Sequence, residues 1–142
     1  MKHKNPYSAI ARLEVRFNEC DPMGIVWHGN YLKYFEEGRE AFAKKFDFDY
    51  LRFFNLGYAT PIVHLTCDFK RPLKYRDIAL VEASLRKTDA AKIIFDYIIR
   101  KEDANEIICK GSTTQVFVDK NSLELSLIMP EFFLKWAAQT GF

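Results

Sequence analysis

The chain has 142 residues, 49% of them hydrophobic, which predicts one domain over residues 1–142 with an ordinary core. Its 21 basic and 19 acidic residues leave a formal charge of +2, too balanced to favour non-specific nucleic-acid binding. Its three widely spaced cysteines suggest no disulfide framework, and no apolar run approaches the ~20 residues of a membrane-spanning helix, so we expect a cytoplasmic protein without membrane insertion.

Hydrophobic periodicity divides the chain into one strand, one long helix and four further strands. Alternation from Ala9 to Phe17 predicts a strand that buries Phe17 with the rest of its apolar face. Apolar residues at spacings of three and four then predict a helix from about Gly29 to Phe46. A run of strands with one inserted helix is typical of an α+β fold with an antiparallel sheet. The four later alternating segments are Pro61–Arg71, Ile78–Lys87, Lys92–Arg100 and Glu106–Val118.

Two glycines predict where the helix meets the sheet. Gly38 in mid-helix costs ~1 kcal/mol relative to Ala, so close packing on the sheet is the expected reason for it. Gly111, in the middle of the longest strand, predicts either a bulge or a close approach to the helix. Near the end of the chain, Pro130-Glu131 opens a short helix, because proline suits a first helical turn.

The loop before the long helix carries the candidate chemistry. Asp21 lies a few residues ahead of the helix start, whose free backbone N–H groups carry partial positive charge. Such groups stabilise a developing anion, and a carboxylate can act as a nucleophile or as a base. Asp21-Pro22 is also a turn signal, so a purely structural role for Asp21 is the alternative.

The stretch Asp21–His28 and the helical residues Asn30–Glu36 resemble the hotdog-fold acyl-CoA thioesterases, in the group of 4-hydroxybenzoyl-CoA thioesterase and the Tol-Pal-associated thioesterase. The resemblance covers nearly the whole chain and implies a five-stranded antiparallel sheet wrapped around one long central helix. It also implies a homodimer or a homotetramer with active sites at the subunit interface. The implied reaction needs no metal or cofactor. The implied reaction is hydrolysis of an acyl-CoA or acyl-carrier-protein thioester.

The same resemblance implies roles for individual residues. Asp21 attacks the thioester or activates water, and the backbone N–H of His28 polarises the carbonyl. The side chain of His28 either orients water or substrate or is simply exposed at the helix start. Basic residues at strand ends are candidates for binding the phosphates of CoA. The substrate-binding residues expected in all are Gly24, Val26, Trp27, Tyr31, Lys70, Arg71, Arg86 and Lys87.

Phe17 departs from the family pattern, because the Tol-Pal-associated relatives carry Tyr at this place. A non-catalytic acyl-CoA-binding protein of the same fold is therefore the alternative function. A hotdog hydratase or dehydratase ranks lowest, because the helix carries no His with the companion residues such chemistry uses. Glu36 is the next candidate carboxylate, whereas Cys20 has no convincing His partner and His64 is expected to be an ordinary sheet residue.

Overall fold

A five-stranded antiparallel sheet and a long helix on its inner face form the centre of the fold. The computed structural model describes residues 4–142. The helices are α1 (Asn30–Phe46), α2 (Tyr50–Asn55) and α3 (Glu131–Thr140). The strands are β1 (Ser8–Glu14), β2 (Tyr58–Ala59), β3 (Ile62–Phe69), β4 (Ile78–Arg86), β5 (Lys92–Lys101), β6 (Glu106–Val116) and β7 (Val118–Asp119). The sheet has the order β1-β4-β5-β6-β3, with every neighbouring pair antiparallel, and β2 pairs with β7 in a separate ribbon.

The predicted α+β class, antiparallel sheet and long helix are confirmed. The strands lie where alternation indicated them. β4 and β5 each bury one whole face, whereas β3 contains no buried residue. The prediction is wrong at Phe17, whose side chain is 77% exposed. β1 ends at Glu14 and Phe17 begins a 3₁₀ turn, so its side chain leaves the buried face of the strand. The fully buried face of β4 shows the alternation best, with Ala79, Val81, Ala83 and Leu85.

Both glycines singled out in the sequence are points of close approach. A Cβ atom on Gly38 would lie 3.0 Å from Cγ1 of Val81, so α1 rests directly on β4. A Cβ atom on Gly111 would lie 2.7 Å from Cζ of Phe35 and would overlap the carbonyl of Thr66. The contact between α1 and β6 therefore leaves no room for a side chain at Gly111. The close packing expected at Gly38 is confirmed.

An aromatic cluster packs around the C-terminal end of α1. The ring centroid of Phe48 lies 4.8 Å from that of Trp136 on α3 and 4.9 Å from that of Phe53 on α2. The rings of Phe42 on α1 and Phe95 on β5 meet edge to face at 5.0 Å. Since Phe42, Phe48 and Phe95 have no exposed surface, much of the aromatic content of the chain packs this core.

β3 forms an outer edge of the sheet. Within the described residues its only partner in the sheet is β6. Val63 is 59% exposed and Phe69 is 52% exposed, so the strand also carries apolar surface that this subunit does not cover. A free edge presents unpaired backbone groups that can pair with another strand.

Three findings bear on the expected setting of the protein. Between residues 4 and 142, none of the helices combines the length and the apolar character needed to cross a membrane. Cys20, Cys67 and Cys109 are free thiols. In the same part of the chain, no three side chains of His, Cys, Asp or Glu are grouped closely enough to hold a metal ion.

Candidate active site

The loop that carries Asp21 is a short hairpin fixed by backbone hydrogen bonds. The N–H of Asp21 donates to the carbonyl of Ile25 at 2.8 Å, and the N–H of Gly24 donates to the carbonyl of Asp21 at 2.9 Å. Gly24 has φ +80°, a left-handed conformation that favours glycine and closes this turn. The N–H of Val26 donates to the carbonyl of Leu73 at 2.8 Å, which fastens the hairpin to the segment between β3 and β4.

The carboxylate of Asp21 has one anchored oxygen and one free oxygen. Oδ1 accepts a hydrogen bond from the N–H of Met23 at 2.8 Å, which is the turn-stabilising contact expected of a structural Asp. Oδ2 has no hydrogen-bond partner within the described residues. Asp21 is half-buried and lines a cleft of about 290 Å³. The carboxylate is therefore positioned by its own loop and still has an oxygen available for chemistry.

The N-terminal end of α1 opens onto the same cleft. Helical backbone geometry begins at Gly29, and no side chain caps the helix. The N–H groups of His28 and Gly29 have no hydrogen-bond acceptor among residues 4–142. These are the unsatisfied donors that a helix start leaves, and they carry its partial positive charge. The side chain of His28 is exposed and lines the cleft beside Asp21.

Glu19 ties the helix to the Asp21 loop, and sequence reasoning did not identify it. Its carbonyl accepts a hydrogen bond from Nδ2 of Asn30 at 2.8 Å. Its carboxylate accepts from the hydroxyl of Tyr34 at 3.1 Å and from the N–H of Arg16 at 2.8 Å. Burial, followed by the nearby charge of Glu19, raises the pKa of Tyr34 well above its ordinary value, so the hydroxyl stays protonated and keeps donating. The sequence offers only half of a capping box as a signal: the carboxylate of Glu19 accepts from the N–H of Arg16 three residues earlier, but Arg16 has no side-chain acceptor to complete the box.

Tyr31 and Phe69 form the apolar wall of the cleft. Their rings meet edge to face at 5.1 Å, joining α1 to the end of β3. Burial raises the pKa of Tyr31 to about 12, so its side chain stays neutral across the physiological range. Val26 is buried beneath them and also lines the cleft. This wall suits the apolar part of a substrate.

Trp27 lies at the helix start but does not line this cleft. Its indole is 51% exposed and covers Gly29, where a side chain would overlap the ring. Its ring centroid lies 5.0 Å from that of His28. Gly24 likewise shapes the hairpin without lining the cleft. Both residues act on the site through its backbone rather than as part of the cleft wall.

The structure separates the four basic candidates into two pairs. Lys70 and Arg71 line the cleft directly after β3, and Arg71 forms an ion pair with Glu106 at 3.8 Å between exposed side chains. Arg86, the last residue of β4, forms an ion pair with Asp96 on β5. The ammonium of Lys87 sits over the ring of Phe142 at 5.5 Å. Within one subunit, only Lys70 and Arg71 are brought to Asp21.

Other residues considered from the sequence lie outside the cleft. The ring of Phe17 packs edge to face on Tyr75 at 5.7 Å and lines a separate groove that also contains Glu19. The absence of a hydroxyl at Phe17 therefore does not change the wall of the Asp21 cleft. Glu36 lies further along α1 in another cavity, and His64 is exposed on β3.

Comparisons with known proteins identify relatives of this chain and structures that share its fold. The model of the thioesterase-like superfamily matches residues 15–137. The candidate acyl-CoA thioesterase YneP of Bacillus subtilis is 35% identical over 112 residues, which cover 79% of this chain and 80% of that protein. A candidate esterase of Aquifex aeolicus is 33% identical over 114 residues, which cover 80% of this chain and 88% of that protein. The crystal structure of the DHNA-CoA thioesterase from Staphylococcus aureus superposes with a TM-score of 0.84 over 94% of this chain and 91% of that one, and at 24% identity it shows the shared fold.

Proposed function

This chain belongs to the thioesterase-like superfamily, and from that premise we propose that it hydrolyses acyl-CoA thioesters in the Asp21 cleft. One observation carries the proposal: Asp21, whose carboxylate has a free oxygen, and His28, whose backbone N–H at the helix start has no acceptor among residues 4–142, border the same cleft. Hydrolysis of a thioester needs both, because negative charge develops on the carbonyl oxygen while a nucleophile attacks the carbonyl carbon.

In the proposed reaction, the thioester carbonyl oxygen accepts hydrogen bonds from the N–H groups of His28 and Gly29. Asp21 has two possible roles. As a base, it takes a proton from a water molecule whose oxygen attacks the carbonyl carbon; the C–S bond then breaks, and CoA leaves as its thiol with that proton. As a nucleophile, it forms an acyl anhydride and releases CoA, and water then hydrolyses the anhydride to the free acid. The side chain of His28, exposed beside Asp21, is placed to orient the water.

Lys70 and Arg71 are the proposed contacts for CoA phosphates. Both lie at the cleft. Among residues 4–142 their one ion pair is that of Arg71 with Glu106, at 3.8 Å between exposed side chains, so solvent screens it and their charges are available to a ligand. Arg binds phosphate in a forked geometry, whereas Lys acts as a point charge. A role of Arg86 and Lys87 in binding CoA stays a prediction, and so does the use of an acyl-carrier protein in place of CoA.

The proposed active form is at least a homodimer. The free edge of β3 carries the exposed side chains of Val63 at one end and of Phe69, beside the cleft, at the other, and this subunit leaves both uncovered. Pairing of two β3 edges would join two sheets into one and cover this surface. Sedimentation of the purified protein should show a dimer or a homotetramer; a stable monomer with full activity would contradict the proposal.

The direct test of the function is release of free thiol from a panel of acyl-CoA esters with short, long and aromatic acyl groups. We expect hydrolysis of at least one class. Absence of thiol release from every ester, with the protein folded and oligomeric, would leave binding without catalysis as the remaining function.

A further inference from the structure

A second cavity, of about 390 Å³, lies on α1 beyond the Asp21 cleft and contains a buried arginine. The side chain of Arg39 is 12% exposed, and its Nε is buried with no hydrogen-bond partner among residues 4–142. The nearest carboxylate oxygen in an ion pair with it belongs to Glu36 at 3.7 Å, and Glu36 is itself 67% exposed. A buried charged donor normally has acceptors, so Arg39 lacks partners that its environment calls for.

The other polar groups of this cavity are already satisfied. The hydroxyl of Tyr50 donates to Oε1 of Gln115 at 3.1 Å, and Nε2 of Gln115 donates to the carbonyl of Thr60 at 2.8 Å. Burial raises the pKa of Tyr50 to about 12, against the opposing charge of Arg39, so Tyr50 is a neutral donor. The remaining charges belong to Glu36 and Glu40, which are exposed at the rim and therefore well solvated. The guanidinium of Arg39 lies 5.9 Å from the ring centroid of Tyr50, and among residues 4–142 no hydrogen bond satisfies its Nε.

Symmetric pairing of β3 would place this cavity beside the Asp21 cleft of a second copy. Ile62 lies at the cavity end of β3, where it pairs with Gln115, and Phe69 lies at the cleft end. A two-fold axis through the middle of β3 would pair the two identical edges antiparallel and bring Ile62 of one strand next to Phe69 of the other. Each cleft would then continue into the Arg39 cavity of the partner subunit.

We propose that Arg39 selects the acyl group of the substrate: the cavity of one subunit receives the far end of the acyl chain bound in the partner's Asp21 cleft and favours a chain that ends in a hydroxyl or carboxylate oxygen. This inference rests on the proposed thioesterase function and dimer. The oxygen supplies the acceptor that Arg39 lacks. A methyl end would leave the buried guanidinium without a partner, and sites built for a hydrogen bond discriminate strongly against analogues that lack it.

The test uses three matched esters: hexanoyl-CoA and the same chain ending in a hydroxyl or in a carboxylate, with the series repeated on butyryl and decanoyl chains. We expect kcat/KM for an oxygen-ended ester to exceed that for its methyl-ended counterpart at least about tenfold at one chain length. Arg39→Met should bring this ratio close to one, and Arg39→Lys should retain part of it. Arg52→Met is the matched control on exposed α2 and should leave the ratio unchanged.

A wild-type ratio near one at every chain length would overturn the inference, even where Arg39→Met does not fold. An unchanged ratio in folded Arg39→Met would overturn it as well. Absence of thiol release from all esters is a different result, because it contradicts the proposed function itself.

Mixed dimers test whether Arg39 acts across the interface. A dimer of one Asp21→Asn subunit and one Arg39→Met subunit contains one fully native site when the cavity belongs to the partner, and it should keep the oxygen preference. When cleft and cavity belong to one subunit, the only site with Asp21 carries Met in place of Arg39. Hydrolysis without preference in the mixed dimer would therefore contradict the placement across the interface.

Discussion

The two ends of α1 lie in opposite surroundings. At the N-terminal end, His28 is exposed, Asp21 is half-buried and two backbone N–H groups lack partners. At the C-terminal end, Phe42 and Phe48 are fully buried among aromatic rings from three helices and the sheet. The difference separates the proposed chemistry at one end of the helix from the packing that stabilises the other end. Substitutions at the two ends should therefore affect different measurements.

The largest expected effect is loss of stability at the aromatic end. Phe48→Ala should lower the free energy of unfolding by about 3–5 kcal/mol, because it leaves a large cavity between α2, α3 and β5. Turnover per folded molecule should stay close to the wild-type value, since Phe48 is remote from the cleft. Denaturant unfolding together with an acyl-CoA assay measures both.

Phe54→Ala is the matched control for this prediction. Phe54 lies on the neighbouring α2 and is 49% exposed, so the same truncation should cost less than about 1 kcal/mol. Equal losses of stability in Phe48→Ala and Phe54→Ala would mean that the aromatic cluster does not hold this end of α1.

A smaller effect is expected for the basic residues at the cleft. The double variant Lys70→Ala with Arg71→Ala should raise KM for acyl-CoA about tenfold, with less change in kcat, because it removes attraction to phosphates rather than reacting groups. The difference from wild type should shrink at high salt, which screens exposed charges. The double variant Arg86→Ala with Lys87→Ala, at the C-terminal end of β4, should raise KM less. A larger rise in KM for this second variant would contradict phosphate binding at Lys70 and Arg71.

A pH dependence is expected at both ends. Burial raises the pKa of Tyr31 and of Tyr50 to about 12, against about 10 in an unfolded chain. The unfolded state therefore loses these protons first, and stability that is complete below pH 10 should fall as the pH rises toward 12. Melting temperatures between pH 8 and 12 should show this decline, and Tyr31→Phe and Tyr50→Phe should each reduce its slope. A wild-type melting temperature that is constant to pH 12 would contradict the prediction.

The sequence predicted the sheet and α1 because each element repeats a simple pattern. Val81 and its alternating neighbours mark the buried face of β4, and Gly38 marks the place where α1 rests on it. The pattern failed at Phe17, because alternation continued beyond the last residue that pairs in β1. The alternation of apolar and polar residues alone does not show where a strand leaves its sheet.

The cleft residues were predicted from two signals: a continuous motif around Asp21, and basic residues at the end of a predicted strand, Lys70 and Arg71. Asp21 and His28 belong to one continuous motif, and the structure brings both to one cleft. The hydrogen bond of Glu19 with Tyr34 and the cavity of Arg39 were not predicted. Both depend on contacts between separate segments, such as that of Tyr50 with Gln115, and spacing along the chain does not reveal such contacts. The catalytic roles, the single domain, the oligomeric state and the cytoplasmic location stay predictions.

The most direct measurement is turnover and melting temperature of Asp21→Asn on the same sample. Asn keeps the size and turn-forming ability of Asp, so the hydrogen bond to the N–H of Met23 and the fold should survive. We predict a loss of turnover of at least about 100-fold, with melting temperature and acyl-CoA affinity close to those of wild type. Near-normal turnover in the folded variant would contradict a catalytic role for Asp21 and leave Glu36 as the next carboxylate to test.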